Sequence, residues 1–144
     1  MAKPRSPRIF HQLHRAHGAL FRALDRRLRD SEGIATAHQV ILFALAEQDG
    51  LPSSEVARRA GHSKSRLTGL VDTLEAQGLV ERRTSEEDGR VQLLHATRAG
   101  RALIARTVSQ TKALNTALLA PFDRKEQETI GAFLEHVRNE AEKL

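Results

Sequence analysis

Between Ser63 and Arg90 the sequence SKSRLTGLVDTLEAQGLVERRTSEEDGR permits few folds. Leu67, Leu70, Val71 and Leu74 recur at i, i+3, i+4 and i+7, the stripe of a helix with one buried face. Ser63 is a good N-cap, and Gly78 stands where such a helix stops. Beyond it, Leu79 to about Thr84 is β-prone, Ser85-Glu86-Glu87-Asp88-Gly89 is turn-like, and Arg90 to about Ala96 is β-prone again, so a hairpin is expected. The other side of the helix carries Ser65, Gly69, Asp72, Thr73 and Ala76, flanked by Arg66 and Thr68. None of these is bulky and apolar. The face suits something flat, polar and close.

The surrounding chain completes a pattern. Residues 1–7 hold two prolines and are expected to form a flexible N-terminal arm. From about Arg8 to Asp30, Phe10, Leu13, His17, Leu20, Leu24 and Leu28 mark a long amphipathic helix, with Phe21 beside them. A second helix is expected from about Thr36 to Gln48, with Val40, Ile41, Ala44 and Leu45 inward. Leu51-Pro52 reads as a brief extended link. Ser53 is expected to cap a third helix through Ala60, and Gly61-His62 connects it to the helix already described. Two short helices joined around a glycine form a helix-turn-helix, and a hairpin directly after one is a wing. Thr97 caps a fifth helix to about Leu119 with two apolar faces, one with Leu103, Leu114 and Leu118, the other with Ile104, Val108 and Leu119. Pro121 ends it. Asp123 to Glu126 is a capping box for a last helix carrying Ile130, Phe133, Leu134 and Val137.

The expected fold class is mostly α with a small β-hairpin wing (α+β). A winged helix-turn-helix lobe over residues 36–96 would join a helical dimerisation lobe built from residues 8–35 and 97–144. The terminal helices are amphipathic, and a chain of 144 residues offers little of itself to cover them. A twofold homodimer is therefore expected.

Composition excludes more than it selects. No run of about 18 apolar residues is present, so no membrane span is expected. The basic N-terminus lacks an apolar signal core, which points to a cytoplasmic protein. The absence of cysteine removes disulfides and thiolate metal sites. Residues 1–30 carry eight Lys/Arg against two Asp/Glu, whereas the whole chain has a net charge of +5. That excess is either a solvated helix face or the flank of a nucleic-acid surface. No glycine-rich phosphate loop or cysteine nucleophile is present, and His62 beside Ser63 lacks a carboxylate to orient it. Glu86 and Glu87 sit on a turn, where solvent keeps both ionised. No enzyme, catalytic residue or cofactor is expected.

The chemistry of the opening stretch points to double-stranded DNA. The major groove admits one α-helix, entered by its N-terminal turns. Those turns hold Ser63, Lys64, Ser65, Arg66, Thr68 and Gly69. Arg66 can pair with guanine O6 and N7, Ser65 and Thr68 can reach phosphate or base edges, and Lys64 suits phosphate. Glycine inside a helix costs about 1 kcal/mol against alanine. At Gly69, close approach to a surface would account for that cost. Arg90 stands where a wing enters the minor groove, with Arg82 and Arg83 on the incoming strand and Asp88 placed to hold the Arg90 guanidinium. Glu86 and Glu87 are expected to point away from phosphate. Ser53 and Ser54 complete the DNA-facing set. A winged helix used only for protein contacts is the rival class.

The chain resembles the MarR family of bacterial transcription regulators over roughly residues 8–143. The carrying motifs are Thr36-Ala37-His38-Gln39, Leu51-Pro52-Ser53-Ser54-Glu55-Val56-Ala57, Leu67-Thr68, Leu74-Glu75-Ala76-Gln77-Gly78-Leu79-Val80-Glu81-Arg82, Asp88-Gly89-Arg90 and Thr97-Arg98-Ala99-Gly100. The resemblance implies an obligate homodimer on a pseudo-palindromic operator, usually a repressor released by a small ligand. It implies base reading by Ser65, Arg66, Thr68 and Gly69, and a minor-groove role for Arg90. The acidic tip Ser85-Glu86-Glu87 departs from the more basic wing common in the family.

Seven histidines raise a second question. His11, His14 and His17 recur at helical spacing, and zinc sensing would require further ligands. Some members of the resembled family sense zinc with ligands on helices one, two and five, but helix five here has no histidine. No metal site is expected, and a zinc-responsive regulator of the same fold is the alternative. The resemblance also implies an effector pocket bounded by those helices. His14, His17 and His38 are the candidates to bind an effector there, such as a phenolic or other aromatic acid. For His17, a structural place in the helix core is the competing expectation.

Overall fold

The structure, a computed structural model, describes residues 8–144; the expected N-terminal arm lies outside them. The elements are α1 (Ile9–Glu32), α2 (Thr36–Glu47), β1 (Leu51–Pro52), α3 (Ser53–Ala60), α4 (Lys64–Ala76), β2 (Val80–Thr84), β3 (Gln92–Ala96), α5 (Arg98–Leu119) and α6 (Arg124–Ala141). They form two compact units that divide between Ile104 and Ala105, within α5. Among the described residues no helix is long and apolar enough to cross a membrane.

The first unit is organised around α2. Ile41, Leu42 and Leu45 are fully enclosed, and Thr36 and Gln39 are buried with them. A helix buried on most sides is a core helix. Leu42 replaces Val40 as an inward residue: Val40 is only half-buried. Around α2 lie Val56 of α3, Leu67, Val71 and Leu74 of α4, and Val80 and Leu94 of the sheet, each at most 3% exposed. Burying one such side chain contributes about 1.5–3 kcal/mol, so this aliphatic cluster dominates the unit's stability.

The sheet has three antiparallel strands in the order β1-β3-β2. In β2 and β3, Val80 faces Ala96, Arg82 faces Leu94 and Thr84 faces Gln92. The expected link Leu51-Pro52 is instead a strand: Leu51 faces Leu94, Pro52 faces Leu93, and Gly50 N–H donates to the Leu94 carbonyl at 3.0 Å. Proline is tolerated there because β1 is an edge strand. Pro52, not Ser53, occupies the N-cap of α3. Ser53 is the first helical residue, and its hydroxyl donates to the Gln92 carbonyl at 3.3 Å.

The junction after α4 fixes the wing to the helix. Gly78 adopts φ +71°, Gly78 N–H donates to Glu75 O and Leu79 N–H to Leu74 O, both at 2.9 Å. This is a Schellman stop with its apolar residue, Leu79, buried. Thr97 then ties the start of α5 to the same place. Its hydroxyl donates to Gly78 O at 2.6 Å and accepts from Gly100 N–H at 3.1 Å. Gly100 has to be glycine, because a Cβ there would lie 2.2 Å from the Leu79 carbonyl oxygen.

The second unit comprises the remainder of α5, a tight turn and α6. Asp123 and Glu126 form the expected capping box, with bonds of 2.8 and 2.9 Å. Gln127 closes the turn onto the Leu119 and Phe122 carbonyls. No residue of α6 is buried within one chain, and Phe133 and Leu134 are 37% and 51% exposed.

Candidate nucleic-acid interface

Helices α3 and α4 meet through Gly61 in the left-handed conformation, with His62 N–H donating to Ala57 O at 2.9 Å. Ser63 caps α4 as expected, its hydroxyl accepting from Arg66 N–H at 3.2 Å. With Leu67, Val71 and Leu74 turned into the core, Ser65, Arg66, Thr68, Gly69, Asp72 and Thr73 are all exposed. A Cβ on Gly69 would meet nothing within 4 Å, so no contact inside the chain accounts for a glycine there.

Five of the twelve sequence-predicted residues converge on one open hollow of about 390 Å³ between α3, α4 and the wing. Ser53 and Ser54 line it from α3, Lys64 and Thr68 from α4, and Arg90 and Gln92 from the wing. Among the described residues, the charged groups of Lys64, Arg66 and Arg90 have no hydrogen-bond or ion-pair partner. The basic residues of α3 differ. Arg58 and Arg59 both bond Glu55, which holds that carboxyl down at about 2, and Arg59 reaches Gln48 at 3.1 Å. Some hydroxyls are committed as well: Thr68 donates to Lys64 O at 3.0 Å, and Ser63 and Ser65 lie 3.5 Å apart.

The wing needs two corrections. Asp88 does not hold the Arg90 guanidinium. Its carboxylate accepts from Arg90 N–H at 3.0 Å, while Ser85 Oγ accepts from Glu87 and Asp88 N–H. Aspartate two residues before a backbone N–H closes a local turn more readily than it reaches a long side chain. Arg82 is also not a free cation: it is bonded to Asp72, Glu75 and the Thr68 carbonyl of α4. Arg83 pairs with Glu81 and lines a second hollow of about 580 Å³ with Ser85, Glu86, Glu87 and His95. Glu86 and Glu87 thus border this hollow and not the one that holds Arg90. Sequence reasoning overlooked Gln92, which lines the interface, and the latch in which Asp49 accepts from Ala96 N–H and meets His95 Nδ1, both at 2.9 Å.

The three candidate effector histidines do not converge within a chain. His17 is exposed within one chain; its ring lies against Phe21 at 4.2 Å and 31°. His14 lines a shallow hollow on α1 with Arg15, Gly18 and Arg22. His38 lies beside Asp25 and Arg29, which stand 11 and 15 residues beyond His14 on α1, about 16–22 Å along the helix axis. His38 Nδ1 accepts from Ala35 N–H at 3.0 Å. Burial, then the Arg29 charge, lower its pKa, with Asp25 opposing them. Burial would raise Asp25, but the Thr36 N–H, which donates to its carboxylate at 2.6 Å, and the charges of Arg29 and His38 lower it. Among the described residues no three His, Asp or Glu groups are arranged to hold a metal ion.

Known proteins share this architecture. The model of the MarR family matches residues 32–91. A candidate transcriptional regulatory protein for the hcr operon of Thauera aromatica is 34% identical over 97 residues, 67% of this chain but 58% of that one, so the match spans little more than half of the relative's length. The HTH-type transcriptional repressor Mb2911 of Mycobacterium bovis is 30% identical over 103 residues, 72% of this chain and 74% of that one. Among solved structures, the PcaV transcriptional regulator of Streptomyces coelicolor in complex with its natural ligand superposes with a TM-score of 0.78 at 26% identity, over 98% of this chain and 99% of that one. With its winged helix-turn-helix and these relatives, the chain belongs to the MarR family.

Proposed function

We propose that the protein is a sequence-specific, DNA-binding transcriptional regulator, a repressor that acts as a homodimer in the cytoplasm and not as an enzyme. One observation carries the proposal: Lys64 and Thr68 of α4, Ser53 and Ser54 of α3 and Arg90 of the wing border a single hollow. Lys64 and Arg90 there, and Arg66 on the adjoining helix face, are cations without partners among the described residues. Free cations around an exposed helix face suit phosphate on either side of a major groove. In this reading Arg66 reads a guanine, Lys64 and the serines hold phosphate, and Arg90 enters the minor groove. Residues 36–96 bind DNA, and residues 8–35 and 97–144 join two copies. The name of the Mycobacterium bovis relative, a transcriptional repressor, supports the direction of control.

A small molecule is proposed to release the operator, by analogy with the ligand-bound PcaV structure. An aromatic acid is the class to screen first. Selection from a random duplex pool tests the core proposal. The expected product is a pseudo-palindrome whose half-sites lie about one helical turn, ~34 Å, apart. Recovery of no enriched sequence would overturn it.

A further inference from the structure

Arg82 was expected among the DNA contacts, yet its geometry turns it the other way. It lies on β2, an edge strand of the sheet, opposite Leu94. Its guanidinium reaches across to α4, where Nη2 donates to Asp72 Oδ1 at 2.6 Å and to the Thr68 carbonyl at 3.4 Å, and Nη1 donates to Glu75 Oε1 at 3.0 Å. The second oxygen of Glu75 accepts from the backbone N–H of Arg82 at 3.2 Å. One side chain, about one-fifth exposed, therefore engages three residues spread over about two turns of the helix. The two carboxylates it holds are themselves 62% and 44% exposed.

From this arrangement we infer that Arg82 is a positioning residue for the recognition face of α4, not a phosphate contact; the inference rests on the DNA-binding function proposed above. It does two things. The planar guanidinium sets the angle between α4 and the wing, and so the distance between Arg66 and Arg90. A lysine cannot reproduce that fork. It also neutralises Asp72 and Glu75, which would otherwise bring two negative charges to a helix facing a polyanion. Neighbouring Arg83, on the other face of the strand, takes Glu81 instead, so the two arginines are not interchangeable.

The test compares the native chain with Arg82→Ala, Arg82→Lys and the triple variant Arg82→Ala/Asp72→Asn/Glu75→Gln. Arg82→Ala is expected to bind the selected duplex roughly tenfold more weakly, as loss of charge-assisted hydrogen bonds implies. Its log–log salt slope should stay native, and the triple variant should recover the part of the affinity that the two bare carboxylates cost, but not the part that the fork supplies. Arg82→Lys should also bind weakly. A slope shallower by about 1.8, the effect of losing one phosphate contact in each of the two chains, with no rescue in the triple variant, would overturn the inference. So would native affinity in Arg82→Lys. Amide hydrogen exchange on the DNA-free proteins reads the clamp separately. Residues 64–76 should exchange faster in Arg82→Ala than in the native chain, and equal rates would overturn the clamp. Failure of the DNA-binding proposal would show differently, as no binding by the native chain.

Discussion

At the scale of single residues, the interface depends on which side chains are free. Arg66→Ala is expected to cost about 1–3 kcal/mol of DNA affinity and to relax the preference at one base pair, as read by binding to a panel of substituted duplexes. Gly69→Ala separates folding from function. Its Cβ meets nothing in the chain, so thermal unfolding should show a gain of up to about 1 kcal/mol while DNA binding weakens. A gain in both would remove close approach as the reason for the glycine. His38 gives a pH prediction. Its folded pKa is lowered, so its contribution to stability is full above the unfolded value of about 6.5 and is lost as pH falls through the folded value. Asp25 and Asp49, also lowered, act in the same direction at more acid pH. The melting temperature should therefore fall from pH 7 towards pH 5. His38→Gln, which keeps an acceptor three residues into α2 but does not titrate, should flatten that part of the curve. The free cations were legible in sequence because charged residues on an outward helix face are visible from periodicity. The partners of Arg82 and Asp88 were not, because sequence spacing does not reveal which carboxylate a long side chain reaches.

At the scale of elements, apolar spacing located every helix, since burial of one face imposes its period on the chain. What it missed were features set by tertiary contact. Two residues, one of them proline, carry no strand signal of their own, and β1 exists because β3 offers Leu94 and Leu93 as partners. Leu42 is buried because sheet and helices surround α2, a fact that a one-sided helical stripe does not contain. The junction of α4, β2 and α5 is tight enough to test. Gly100→Ala forces a Cβ against the Leu79 carbonyl and should destabilise the first unit by about 1–3 kcal/mol in denaturant melts. A neutral substitution there would mean that α5 can shift away from the wing without cost.

At the scale of the whole molecule, the proposal requires two copies. No residue of helix α6 is fully buried within one chain, and Phe10 of α1 is 87% exposed, so the terminal helices carry apolar surface without a partner. Sedimentation equilibrium should give twice the chain mass, and removal of residues 1–20 should leave monomer or aggregate; a well-folded native monomer would refute the dimer. The histidines do not specify an effector, because His14, His17 and His38 are spread along α1 and α2. The most direct test of the central claim is titration of the native protein against its selected duplex at several salt concentrations. Lys64 on phosphate and Arg90 in the minor groove, each displacing a counterion and doubled by the twofold axis, predict two chains per duplex and a log–log salt slope of roughly −3.6 or steeper. One chain per duplex, or an affinity indifferent to salt, would contradict it.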